Sequence, residues 1–165
     1  MTDEFLSGST VVTGYEGTKI EAYAATPTTA TGAGGIVVVH HMPGFDEPTK
    51  ETVRRFASWG YAAVSPNLHH RDAPGAAPDD AAAANRANGG VSDEQLVEDV
   101  RGAVDRLRAI EGANGKVAVI GYLLRRPTEP PGRLFAGCRR SHRLLRRLRA
   151  RPPARGQPDD GDQLG

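Results

Sequence analysis

Two short apolar runs constrain the fold more than anything else in the chain: IVVVHH at 36–41 and KVAVI at 116–120. Neither alternates apolar with polar residues, so neither suits a strand with one face in water. Continuous runs of this length and β-branched content belong to parallel sheets covered by helices on both faces. Parallel neighbours need crossover connections, and the sequence between the runs supplies them. Residues 49–59 place Val53, Phe56 and Ala57 on one helical face, with Gly60 where a C-cap falls. YAAVS at 61–65 reads as the next strand. Ser92 with Gln95 forms a capping-box pattern, and behind it Leu96, Val100, Val104 and Leu107 recur at helical spacing as far as Glu111.

Ahead of the first run, residues 10–13 and 19–25 read as a hairpin at a sheet edge, followed by a small-residue loop at 27–35. The stretch 66–90 is rich in Ala, Asp, Asn and Gly without a sustained apolar period, so the expectation there is a long surface excursion with one Ala-rich helical turn. The whole order predicts an α/β fold, a parallel sheet flanked by helices.

Charge divides the chain. Residues 1–122 carry 10 basic and 16 acidic side chains, a sum of −6, whereas residues 123–165 carry 11 and 4, a sum of +7, with every basic residue an Arg and with six of the twelve prolines. Two populations follow: an α/β domain over 1–122 and an Arg/Pro-rich tail over 123–165. MTDEFLSG is no basic-then-apolar leader, and no segment approaches the roughly 18 apolar residues of a membrane span, so a cytoplasmic location is the expectation. The lone Cys138 excludes an internal disulfide and agrees with a reducing compartment.

Over 8–122 the segments IVVVHHMPGF, GYAAVSPNLHHRDAPGA and GKVAVIGY occur in order, and on them the chain resembles the dienelactone hydrolase family. The resemblance implies an α/β-hydrolase sheet, cut short here. It also implies hydrolysis of a small-molecule ester or lactone by a Cys nucleophile, with no metal or organic cofactor. In that family the strand equivalent to 116–120 leads into a nucleophile elbow similar to G-x-C-x-G-G, a sharp turn in which glycines relieve backbone crowding. This chain reads Gly121-Tyr122-Leu123-Leu124-Arg125-Arg126, so the nucleophile slot holds Leu123. Met42 and Leu124 fall on the positions whose N–H groups form the oxyanion hole, and His41 stands on a substrate-facing position where type members carry Glu. The family's Asp and His are expected beyond the last residue. No intact catalytic residue is therefore expected, and a chain inactive as written is predicted.

The genetic code offers a cause. Leu-Leu-Arg-Arg-Pro can be encoded so that a reading frame one base later gives Cys-Ser-Gly-Gly-Arg, and the same frame through Thr128 to Arg133 permits Gln-Ser-Leu-Leu-Ala-Ala, an apolar helix start. A one-base insertion after the Tyr122 codon is inferred. An out-of-frame reading of GC-rich DNA also yields an Arg-, Pro-, Gly- and Leu-rich tail.

Two other signals carry weight. His40, His41, His69 and His70 suggest a metal cluster, but adjacent strand residues face opposite ways, so at most one of each pair converges. No carboxylate or Cys has ligand spacing, and no metal is expected. In the tail, Leu134, Cys138, Leu145 and Leu148 form a stripe among arginines, which raises a rival role in binding nucleic acid or an anionic surface. With Phe135 its one aromatic, base stacking is poorly served; neither a specific nucleic acid nor a membrane is the expected partner. Ending near the 116–120 strand is expected to leave an apolar sheet edge open to self-association.

Overall fold

The computed structural model describes residues 5–121; Leu123, Leu124, Cys138 and the rest of the 123–165 tail lie outside them. The elements run β1 (Phe5–Thr13), a 3-10 turn (Tyr15–Gly17), β2 (Lys19–Pro27), β3 (Gly35–Val39), α1 (Glu47–Ser58), β4 (Ala62–Pro66), α2 (Pro78–Ala87), α3 (Asp93–Arg108) and β5 (Val117–Gly121). The strand order is β1-β2-β4-β3-β5.

β3 lies between β4 and β5 and is parallel to both, while β2 joins β4 antiparallel and β1 joins β2 antiparallel. The sheet is thus mixed rather than wholly parallel. A connection as short as the 3-10 turn can join only antiparallel strands, whereas α1 and the α2–α3 segment give β3, β4 and β5 their crossovers.

Every residue of β3 is buried, and the strand's alternation explains why. Val37 and Val39 pack with Ala62 and Val64 against Val100, Ala103, Val104 and Leu107 of α3. Ile36 and Val38 pack with Ala63 against Val53 and Ala57 of α1. A strand covered on both faces has no polar positions to spare, which is what IVVV displays. Among the described residues β5 is outermost, and its side chains are half-buried or exposed.

Caps set the helices. Asp46 Oδ1 accepts the Thr49 N–H at 2.9 Å, so α1 begins before the residue 49 expected from sequence. Ser92 Oγ accepts the Gln95 N–H at 3.1 Å as the capping-box pattern implied. The buried stripe of α3 is Val97, Val100, Ala103, Val104 and Leu107, with Leu96 only partly covered. At Gly102 a Cβ would lie 1.9 Å from the Thr13 carbonyl oxygen, so only glycine lets α3 press this closely on the end of β1.

The expected surface excursion contains a ten-residue helix, α2, instead of a single turn. Pro78 opens it, Asp79 and Asp80 sit at its positive end and Arg86 in its last turn, all favourable to a helix. Its buried face is Ala81, Ala82 and Asn85, side chains too small or polar to register as an apolar stripe.

Candidate functional site

β3 and β4 are parallel and end on the same sheet edge, so the segments that follow them, His40 to Asp46 and Asn67 to Pro78, converge there. In open α/β sheets the carboxyl edge is where ligands bind. One histidine from each pair meets at this edge: the rings of His40 and His69 lie 4.9 Å apart in an edge-to-face arrangement. Neither pair lies on a strand, since β3 ends at Val39 and β4 at Pro66, so the packing of the two loops, and not the alternation expected from sequence, brings His40 and His69 together.

The His40 ring is fully buried, and its two nitrogens have distinct tasks. Nε2 accepts the Leu68 backbone N–H at 3.1 Å, so the ring proton sits on Nδ1, which donates to the His41 carbonyl at 3.0 Å. Burial lowers its pKa from the ordinary histidine value to about 4, so the ring is neutral at pH 7 and fixed in one tautomer. It ties the loop after β3 to the loop after β4. Burial likewise lowers the pKa of His69, only 2% exposed.

Gly44 fits between the two rings. At φ +120°, a Cβ there would stand 2.9 Å from His40 Cε1 and 3.0 Å from His69 Cε1, so both backbone conformation and space require glycine. The Gly44 carbonyl accepts from Thr49 Oγ1 at 3.2 Å and from the Asp46 N–H at 2.6 Å, which seats the loop on α1. His41 points the other way: its side chain is 41% exposed, with Nε2 3.7 Å from Asp46 Oδ2. His70 is half-buried with Nδ1 sealed off and unpartnered among the described residues. Met42 is half-buried, and its N–H makes no hydrogen bond to any described residue. Among the described residues no group of three or more His, Cys, Asp or Glu is placed to hold a metal ion.

The loop after β4 has an anchor that sequence reasoning missed. Arg71 donates from Nη1 to Asp99 Oδ2 at 2.7 Å and from Nη2 to Asp99 Oδ1 at 2.9 Å, while the Tyr15 N–H donates to the same Oδ1 at 2.8 Å. Asp99 is wholly buried on α3. The signal was available, since an acid three residues after Leu96 and one before Val100 falls on the apolar side of that helix. A mixed sheet with helices on both faces and two loops converging at the carboxyl edge defines an α/β domain, and no described helix is long and apolar enough to cross a membrane.

Known proteins agree in sequence and in fold. The dienelactone hydrolase family profile matches residues 20–124. Carboxymethylenebutenolidase 1 of Cupriavidus pinatubonensis is 31% identical over 124 residues, 72% of this chain and 53% of that protein. Carboxymethylenebutenolidase of Pseudomonas putida is 33% identical over 115 residues, 67% and 48% of the respective chains. A Klebsiella pneumoniae crystal structure assigned to the dienelactone hydrolases superposes with a TM-score of 0.60 at 24% identity, covering 72% of this chain and 50% of that one, a likeness of fold alone. The chain belongs to the dienelactone hydrolase family, and it spans about half the length of the curated relatives it matches.

Proposed function

We propose that residues 5–121 are the oxyanion-binding side of a carboxylic ester or lactone hydrolase, and that the chain as written does not turn over. The observation that carries the first part is the Met42 N–H, unpartnered among the described residues at the carboxyl end of β3. A preorganised backbone donor of this kind stabilises the negative charge that develops on a carbonyl oxygen during acyl transfer. The register pairs Val39 with Gly121, so β5, the strand that leads to Leu123, ends beside the loop that carries Met42. An attacking atom supplied from that side and a donor supplied from Met42 would flank one carbonyl group. Leu123 has no nucleophilic atom, so the donor has nothing to assist. The relatives' name supports a lactone as the substrate class of an intact ancestor.

The test is hydrolysis of an activated phenyl ester and of an unsaturated lactone, followed by absorbance. The purified chain is expected to match a buffer control, and turnover that persists after Cys138→Ala overturns the reading. Deleting one base after the Tyr122 codon is expected to encode Cys-Ser-Gly-Gly at the elbow and to restore hydrolysis that is lost when the new Cys becomes Ala. A stop codon within a few residues in that frame refutes the frameshift. The +7 sum over residues 123–165 supports a second reading, an anion-binding tail. Tight, sequence-selective nucleic-acid binding at physiological salt would favour it, whereas weak binding that fades steeply with salt would not.

A further inference from the structure

A cleft of about 250 Å³ opens beside the paired imidazoles, between the loop after β3 and the segment that enters α2. It is smaller than the roughly 300 Å³ at which pockets for drug-sized molecules begin, so it suits a molecule of amino-acid size. His69 lies on its wall, 2% exposed, and neither ring nitrogen has a hydrogen-bond partner among the described residues. Ser65 Oγ and His70 Nδ1 are the described side-chain atoms that are sealed off without a partner, so the His69 nitrogens, on a residue that lines the cleft, keep some access to solvent. Both nitrogens are therefore available to bond to a molecule that enters the cleft.

The charges around the cleft sort into those already engaged and those that are not. Asp46 caps α1 through Oδ1 and faces His41 through Oδ2, and Glu47 is paired with Arg54. Glu21 on β2 and Lys50 on α1 form no ion pair with each other or with any described residue. Glu21 has only a 3.5 Å contact from Asn67 Nδ2, and the Lys50 ammonium stands over the Phe45 ring, 5.0 Å from its centroid. Both are half-buried. Two opposite charges that border one small cleft without neutralising each other are complementary to a ligand carrying both signs.

We propose that this cleft binds a small zwitterion, an α-amino acid with an apolar side chain. Its carboxylate meets Lys50, its ammonium meets Glu21, the neutral His69 ring bonds to either group, and its side chain lies against Phe45 and Ala81. Binding needs no nucleophile, so this inference stands apart from the hydrolytic reading.

The test uses the chain as it exists, titrated at pH 7 with L-leucine, with 4-methylpentanoate, which lacks the ammonium, and with 3-methylbutylamine, which lacks the carboxylate. Heat and the imidazole proton signals of the histidines are the readouts. Leucine is expected to bind saturably and to move one buried imidazole signal, while each singly charged analogue binds roughly tenfold or more weakly, the loss of one hydrogen bond to a charged group. Glu21→Gln should bring leucine down to the level of 4-methylpentanoate, and Lys50→Met down to that of the amine. Absence of saturable leucine binding, or equal affinity for leucine and 4-methylpentanoate, overturns the proposal. The comparison of the three ligands on the unsubstituted chain decides the matter even if a variant fails to fold.

Discussion

Replacing Asp99 with Ala removes a carboxylate that joins three separate parts of the domain, α3, the 3-10 turn and the loop after β4. Its oxygens accept from Arg71 twice and from the Tyr15 N–H, and the Arg71 Nη2 also donates to the Tyr15 carbonyl at 3.2 Å. Breaking a buried pair by deleting one partner costs about 3–5 kcal/mol because the other charge is stranded. The Arg71 side chain keeps 21% of its surface exposed and can turn toward water, so the lower end, about 3 kcal/mol, is the fitting figure. Local opening tracks that free energy, so amide hydrogens in the 3-10 turn and in the loop after β4 should exchange roughly 100-fold faster, a tenfold change for each 1.4 kcal/mol. Hydrogen exchange read by mass spectrometry resolves the two segments. Asp105→Ala is the control, since Asp105 is 64% exposed and lies 4.0 Å from Arg108; exchange there should change by about twofold at most. An Asp99→Ala effect no larger than the control refutes the argument that this pair anchors the loop. Substituting Arg71 and Asp99 together by Met and Leu should recover much of the loss, because no charge is then left behind.

Stability should also depend on pH through His40. Its folded pKa of about 4 lies below the ordinary 6.5, so the unfolded chain binds more protons between those values. The contribution is intact above pH 6.5 and falls as pH drops toward 4, by up to about 3 kcal/mol at 1.36 kcal/mol per unit. Denaturant unfolding at pH 7 and pH 4.5 should show the fall in the native chain and a shallower one in His40→Gln; identical slopes would contradict the burial argument. The edge at β5 should promote self-association, seen by light scattering as particles larger than a monomer, and Ala118→Lys, at an exposed position of that strand, should reduce it. A monodisperse monomer at all concentrations would count against an open edge.

What was legible in the sequence was what local periodicity and caps encode. The continuous apolar runs at 36–39 and 62–65 are buried as they imply, whereas KVAVI forms a strand that is only half-buried or exposed because, among the described residues, it lies at the sheet edge; Ser92 with Gln95 marks the start of α3 whatever surrounds it. α2 escaped because burial there is achieved by Ala81 and Ala82, which a hydrophobic pattern barely weighs. The site was legible only in part. His41 and Met42 could be placed at a strand end, but the approach of His69 to His40 joins loops 29 positions apart and leaves no local trace. The lining charges Glu21 and Lys50 are likewise brought together from β2 and α1 by the sheet order, not by spacing.

The sheet order has a consequence for synthesis. β1 and β2 are joined by a short turn and can pair as soon as they leave the ribosome, and β4 follows β3 after a single helix. The second edge of β3 must wait for β5, about 80 residues later. At typical elongation rates that delay is roughly 4–16 s, far longer than the microseconds in which a hairpin closes. Throughout it β3, buried along its whole length in the folded domain, has one unpaired side. A nascent chain of this design is therefore a substrate for chaperones throughout that interval, and a gene that slows translation between α1 and β5 would lengthen the exposure.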